Sequence, residues 1–302
     1  MNVIFMGTPD YAEKILNKLI LLDKINVVAV YTQPDKPVGR KKVLTPPPVK
    51  VTAELNDIDI YQPNRLRDEE VVKELLKIKC DYIVVAAYGQ ILPSAILQHA
   101  PCINLHASIL PELRGASPIQ QVLLDGKKET GVTAMLMDVG LDTGDIIKID
   151  RIDVDSDEMV ETLFKRLTDV AVKLTVDVLE NFTSYKPEAQ VNELSTHCSK
   201  ITKLDGEIKF NDASSIYNKY RAFTPWPGIY LESGLKLKQI LLESSDGKHK
   251  EGSILCIEKD SIVIGCSNGS LRIYKVQAPS KKEVDIVSYI NGKRLGLEDI
   301  IS

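Results

Sequence analysis

Apolar runs and helical spacing alternate through the first half of the chain. Residues 2–6 (NVIFM), 26–32 (NVVAVYT), 81–87 (DYIVVAA) and 102–107 (CINLHA) are short, continuous and largely apolar, which predicts buried strands. Between them, 11–22, 49–56, 67–79 and 117–125 carry helical patterns, the last preceded by Ser117-Pro118, an N-cap followed by proline at the first helical position. Continuous rather than alternating Val/Ile/Ala runs predict a parallel sheet covered on both faces. The expected architecture is a doubly wound, Rossmann-like α/β domain, which binds ligands beyond the carboxyl ends of its strands.

The pattern changes after residue 150. Met159, Val160, Leu163, Phe164, Leu167, Val170, Ala171, Leu174 and Val178 form one apolar stripe, predicting a helix over 156–182 with Asp155 and Glu158 capping its start. Residues 184–204 are polar and weakly patterned, as in a linker. Beyond them lie a helical stretch at 213–222 and the segments GIYLES, KLKQILLE, GSILCIE, SIVIGCS and SLRIYKV, separated by Gly, Ser and Asp. Short strands at that spacing predict a small β-barrel of OB-like type. The expected division is a catalytic domain over 1–183, a linker over 184–204 and a second domain over 205–302.

Composition narrows the function classes. A content of 44% hydrophobic and 26% charged residues excludes disorder and a disulfide scaffold. No run approaches the roughly 20 apolar residues of a membrane span. The opening MNVIFMGTPD lacks the basic region of a signal peptide. Five cysteines form no CxxC pair, which points to a reducing cytoplasm, and four scattered histidines argue against a metal. The net charge of −4 speaks against a generally basic nucleic-acid coat. Locally the sign reverses: residues 34–50 hold Lys36, Arg40, Lys41, Lys42 and Lys50 against Asp35 alone, a net of +4 that suggests a polyanionic partner.

GTPD at 7–10 follows the first strand, where a dinucleotide fingerprint would sit, but only Gly7 of the three required glycines is present. A phosphate-loop motif is also absent. The strongest chemical signal is Ile103-Asn104-Leu105-His106-Ala107-Ser108-Ile109-Leu110-Pro111. Asn104 and His106, two apart on a strand, emerge on one face at its carboxyl end. An amide donor suits a developing oxyanion, and imidazole moves protons near neutral pH. Cys102 shares that face by parity, although a buried structural cysteine is the commoner case. His99, His197 and His249 have no partner pattern.

Followed by Arg114-Gly115 and Pro118, and joined by Asp138-Val139-Gly140-Leu141-Asp142-Thr143-Gly144-Asp145, this arrangement resembles the folate-dependent formyltransferases. GTPDYA, TQPDKPVGRKK with the later PPPVK, AAYGQILP and RAFTPWPG resemble in particular those that act on methionyl initiator tRNA. The resemblance implies direct formyl transfer from 10-formyltetrahydrofolate to the methionyl amine, through a tetrahedral intermediate, by a monomer with no metal. It assigns catalysis to Asn104, His106 and Asp142. It assigns folate binding to Tyr88, Gly89, Gln90, Ile91 and Leu92, to Ser108, Ile109, Leu110 and Pro111, and to Val139, Gly140 and Leu141. The basic loop, with Lys36, Arg40, Lys41 and Lys42, would enter the acceptor end of the tRNA. Two positions depart from the family pattern: Ala107, where Gly is usual and an added methyl narrows the space, and Glu112, which weakens a local phosphate contact.

Two other readings stay open at this level. An enzyme formylating an amino sugar nucleotide shares the catalytic signatures, although such a small acceptor does not need a +4 loop. A non-catalytic RNA-binding protein on the same fold has no use for all three of Asn104, His106 and Asp142. Trp226, between Pro225 and Pro227, is expected to pack against those prolines rather than stack on a base.

Overall fold

The structure is a computed structural model in which residues 1–39 and 41–301 are described. The chain divides into two compact units, one comprising 1–118, 129–153 and 164–198, the other 119–128, 154–163 and 199–302.

The first unit is built on a seven-stranded sheet. From one edge its strands are Ile60–Tyr61, Asn26–Tyr31, Asn2–Gly7, Tyr82–Ala86, Cys102–His106, Glu129–Leu136 and Ile146–Asp153. The first five are mutually parallel, and the last two run antiparallel to their neighbours. The chain builds outward from Asn2–Gly7 to one edge, then crosses back to Tyr82–Ala86, so the direction of winding switches between these two central strands. Ligands bind such sheets beyond the carboxyl ends near that switch. All four strands expected from the continuous apolar runs are present. Val3, Ile4, Phe5, Met6, Ile83 and Val84 are wholly buried, as strands covered on both faces require. Helix Asp10–Ile20 covers the sheet with Tyr11, Ala12, Ile15, Leu16 and Leu19, one stripe at helical spacing.

Several elements differ from expectation. Strand Glu129–Leu136 went unpredicted because Thr130, Gly131 and Thr133 interrupt its apolar run, yet all three are buried. The long helix is Val160–Asn181, four residues shorter at its start than the stripe suggests. Residues 155–158 close a turn ahead of it, with the Glu158 amide donating to the Asp155 carbonyl at 3.1 Å, so Asp155 stands five residues before the first helical residue. The segment expected to be a linker is tied into the first unit as far as Cys198. Glu188 bridges Ile146, and strand His197–Cys198 pairs in parallel with Arg114–Gly115.

The second unit holds an antiparallel sheet in the order Ile229–Tyr230, Lys236–Ser244, Ser270–Gln277, Ile262–Gly265, Ile254–Ile257, with Val284–Asp285 also paired to Ser270–Gln277. All five segments singled out in the sequence are strands. Among the described residues the first and last of this order do not pair with each other. Helix Ala213–Phe223 is capped by Asp212, whose carboxylate accepts the Ser215 amide at 2.7 Å. No helix among the described residues is long and apolar enough to cross a membrane.

Candidate active site

Strand Cys102–His106 is held from both sides, by Tyr82–Ala86 in parallel and by Glu129–Leu136 in antiparallel register, Asn104 opposite Met135 and His106 opposite Thr133. The Tyr11 hydroxyl adds a hydrogen bond to the Leu105 carbonyl at 3.2 Å. Strand alternation then turns Asn104 and His106 the same way, and the loop leaving Glu129–Leu136 brings Asp142 to meet them. Asp142 Oδ1 accepts from Asn104 Nδ2 at 3.5 Å, and Oδ2 lies 3.7 Å from His106 Nδ1. Oδ2 also accepts the Gly115 amide at 2.8 Å. The three side chains that the resemblance names thus converge on one point.

His106 is 6% exposed, and its Nε2 lies 2.9 Å from the Leu113 carbonyl. A carbonyl only accepts, so Nε2 carries the hydrogen and Nδ1 is the nitrogen left to exchange a proton. Nδ1 faces Asp142 at a separation longer than a direct hydrogen bond but within ion-pair range. The Asn104–Asp142 contact is likewise at the outer limit of a hydrogen bond, which leaves the amide free to turn toward a ligand oxygen. An amide donor, an imidazole and a carboxylate in one partly sheltered place suit the stabilisation of an oxyanion together with a proton transfer.

Loop 138–145 is internally braced. Asp138 Oδ1 accepts the Gly140 amide at 3.0 Å and the Thr143 hydroxyl at 2.7 Å. Asp142 itself has φ of 53°, an uncommon conformation for a residue with a side chain. Gln190 Nε2 donates to the Asp142 and Gly144 carbonyls at 2.9 and 2.7 Å, while its Oε1 accepts two N–H groups of Arg114 at 3.0 and 2.7 Å. The same arginine reaches Asn192 Oδ1 at 2.9 Å. Thr196 accepts the Leu113 amide on its hydroxyl and the Arg114 amide on its carbonyl, each at 2.9 Å. Residues 190–198 thereby hold the backbone that presents the Leu113 carbonyl and the Gly115 amide. Sequence reading missed these partners, and a polar stretch without periodicity offers no signal for them.

The expected folate residues fall into two groups. Ile91, Val139 and Leu141 are apolar yet 81%, 75% and 63% exposed, and Gly89 and Gly140 are also exposed. By contrast Tyr88 and Leu92 belong to the core beside Cys102, and Leu110 is buried. Gln90 is occupied by backbone, accepting the Leu66 amide at 2.7 Å and donating to the Pro63 carbonyl at 3.0 Å. Ser108 donates to the Glu112 carbonyl at 2.6 Å, and Thr133 fixes the same turn by donating to the Ser108 carbonyl and accepting the Leu110 amide. Ile109 and Pro111 are half-buried, and Ala107 is buried. Tyr88, Leu92 and Leu110 therefore offer a ligand their main chain at most.

Cys102 shares strand parity with Asn104, but its thiol donates to the Ala100 carbonyl at 3.4 Å within the core. Burial, with Cys80 nearby, pushes its pKa up to about 12. A nucleophilic thiolate is therefore disfavoured. Brief iodoacetamide treatment of the native chain at pH 8 is expected to label exposed Cys256 and spare Cys102, as read by peptide mass spectrometry.

The basic loop is a two-stranded hairpin, Lys36–Val38 with Val43–Thr45. Arg40, between its strands, lies outside the described residues. Lys36, Lys41 and Lys42 are exposed, as are Val38, Val43 and Leu44. Lys50 is set apart at the base, paired with Asp35 at 2.9 Å, and hydrogen bonds from Gln62 and Lys50 hold the Asp35 carboxyl below its usual range. Among the described residues Asp35 thus pairs with Lys50 and not with Lys36, Lys41 or Lys42. In the second unit Trp226 is 61% exposed, so the flanking prolines do not bury it as the sequence suggested.

Comparison with known proteins identifies the family. Residues 1–179 match the formyl transferase family and residues 200–294 the formyl transferase C-terminal domain. The methionyl-tRNA formyltransferase of Sulfurimonas denitrificans is 64% identical over the whole of both chains, and that of Nitratiruptor sp. 56% identical over 99% of each. Among solved structures, an N-formyltransferase from Helicobacter canadensis, in complex with folinic acid and dTDP-3-aminofucose, superposes with a TM-score of 0.69. At 18% identity, over 91% of this chain and 99% of that one, this likeness speaks for the fold alone. A Rossmann-like domain with an Asn-x-His strand end, an antiparallel-sheet domain after it, and relatives matched end to end place this chain in the formyl transferase family.

Proposed function

We propose that the chain transfers the formyl group of 10-formyltetrahydrofolate to the amino group of methionyl initiator tRNA, giving formylmethionyl-tRNA for translation initiation. The observation that carries the chemistry is the convergence of Asn104 and His106 on Asp142 at the carboxyl end of the central sheet. The acceptor follows from full-length relatives named methionyl-tRNA formyltransferase.

Asn104 donates to the formyl oxygen as the neutral amine attacks and negative charge gathers there. A new C–N bond forms to the methionyl nitrogen, and the bond to N10 breaks. The amine gives up one proton and N10 takes one, so the site needs only to relay a proton. His106 Nδ1 is suited to that relay because Nε2 is fixed on Leu113, and Asp142 steadies the imidazolium that forms in passing. Ile91, Val139 and Leu141 supply apolar surface for the flat pterin, and the main chain at Gly89 and Gly140 is open to it. Five free cysteines fit work in a reducing cytoplasm.

The hairpin guides the tRNA acceptor end. Neutralising Lys41 and Lys42 together is expected to weaken tRNA binding and to flatten its salt dependence by about two units of log–log slope, one for each phosphate that a lysine no longer neutralises. Folate binding is expected to stay unchanged. To test the acceptor itself, the chain is offered methionyl initiator tRNA and a dTDP-amino sugar together with labelled 10-formyltetrahydrofolate. Label is expected in the tRNA fraction, and transfer to the sugar nucleotide instead would overturn the reading.

A further inference from the structure

Gln190 lies between the two regions matched to the family, which end at 179 and resume at 200. We propose that it is a positioning residue for the reaction, acting through Asp142, and that Arg114 fixes the direction in which it acts; this rests on the formyl-transfer reading above.

A glutamine amide can bind either way round, but its neighbours here allow only one. Arg114 is 4% exposed and its guanidinium only donates, through Nε and one terminal nitrogen, to Gln190 Oε1. The oxygen must therefore face Arg114, and Nε2 must face away from it. On that side stand two carbonyls that only accept, those of Asp142 and Gly144, at 2.9 and 2.7 Å. Each of the two donors on Nε2 is matched. The backbone so pinned is that of Asp142, in the left-handed region at φ of 53°. Residues with a side chain hold that conformation only when their surroundings impose it. A small release there would swing the carboxylate away from His106 Nδ1 and Asn104 Nδ2, which already stand 3.7 and 3.5 Å from it.

The arginine is unusual in its own right. Among the described residues its side chain forms no salt bridge with a carboxylate, and its three hydrogen bonds go to the amide oxygens of Gln190 and Asn192. A carboxylate at 190 would satisfy Arg114 better if support of the fold were the only requirement. A neutral amide is what the carbonyls of Asp142 and Gly144 require, because a carboxylate has no hydrogen to give them.

This asymmetry supplies the test. Gln190→Glu keeps an acceptor for Arg114 but turns an oxygen toward both carbonyls, whereas Gln190→Met keeps the length and removes donor and acceptor alike. Both variants are expected to lower kcat at least about tenfold, the scale of a small misplacement of a reacting group. KM for the folate and for the tRNA should stay within about twofold. Gln190→Glu is expected to retain the thermal midpoint while Gln190→Met lowers it. A second readout needs no substrate: the ring nitrogen resonances of His106 in the free chain, assigned through His106→Gln, are expected to move in both variants. Wild-type kcat in Gln190→Glu would overturn the proposal, since a residue serving only the fold tolerates that change. If the unsubstituted chain transferred no formyl group, the reaction reading would fall separately, and the His106 resonances would decide alone: moved, they support the positioning role; unmoved, they overturn it.

Discussion

Replacing Asn104, His106 or Asp142 by alanine is expected to lower kcat by about a hundredfold or more, the scale of losing an oxyanion donor or an acid–base group. The three losses differ in kind. Asn104→Ala removes the proposed donor for the developing oxyanion and leaves His106 on Leu113 undisturbed. His106→Ala removes the proposed proton relay and opens a space beside the Leu113 carbonyl. Asp142→Ala removes the acceptor of both the Gly115 amide and the Asn104 amide, so it loosens the partner as well as deleting the charge. Effects confined to the transition state lower kcat and kcat/KM together. Steady-state kinetics over both substrates checks this, and near-normal turnover in any one variant would remove that residue from the mechanism. The losses are not expected to add, because the three act as a unit. A double variant of Asn104 and Asp142 should fall short of the product of the singles.

The second large effect is expected from Gly115→Ala. Gly115 has φ of +123°, which residues with a side chain rarely adopt, and a Cβ built there would sit 2.2 Å from the Cys198 carbonyl oxygen. That clash is with backbone and cannot be relieved by turning a side chain. The ladder between Arg114–Gly115 and His197–Cys198 would have to open, taking with it the Gly115 amide that binds Asp142. A stability loss of about 3 kcal/mol is expected from strain and broken pairing. It should be accompanied by a fall in kcat of about a hundredfold from the displaced carboxylate. Denaturant unfolding and steady-state kinetics read the two effects. A variant of wild-type stability and activity would show that the ladder does not support the site.

The parts of this fold that were legible in the sequence are those in which one local rule decides the outcome. Strands such as Asn2–Gly7 and Tyr82–Ala86 are buried on both faces, so their apolar runs have no rival interpretation. Asn104 and His106 were legible because a period of two fixes which side chains share a face. Asp142 entered through family resemblance, since nothing local says that a loop 36 residues beyond His106 returns to it. Within the expected linker 184–204, residues up to 198 group with the first unit, and nothing periodic announces it. Gln190, Asn192 and Thr196 do their work through scattered hydrogen bonds to backbone and side chains far along the chain, and such bonds leave no periodic trace. A domain boundary drawn at 183 would cut off the residues that brace Asp142. Tyr88 and Leu92 show the converse, since a motif marks a place in the chain without saying which of its side chains face outward.

In the proposed reaction Asn104, His106 and Asp142 assist a direct transfer of the formyl group from the folate to the methionyl amine. Rapid-quench single turnover tests it most directly, with chain in excess over methionyl initiator tRNA and 10-formyltetrahydrofolate labelled in the formyl carbon. The label is expected to leave the folate and arrive, with one rate, in formylmethionine released by mild alkaline deacylation, with none bound covalently to protein at any time. Label held on the chain before reaching the tRNA, or label that never reaches it, would contradict the account.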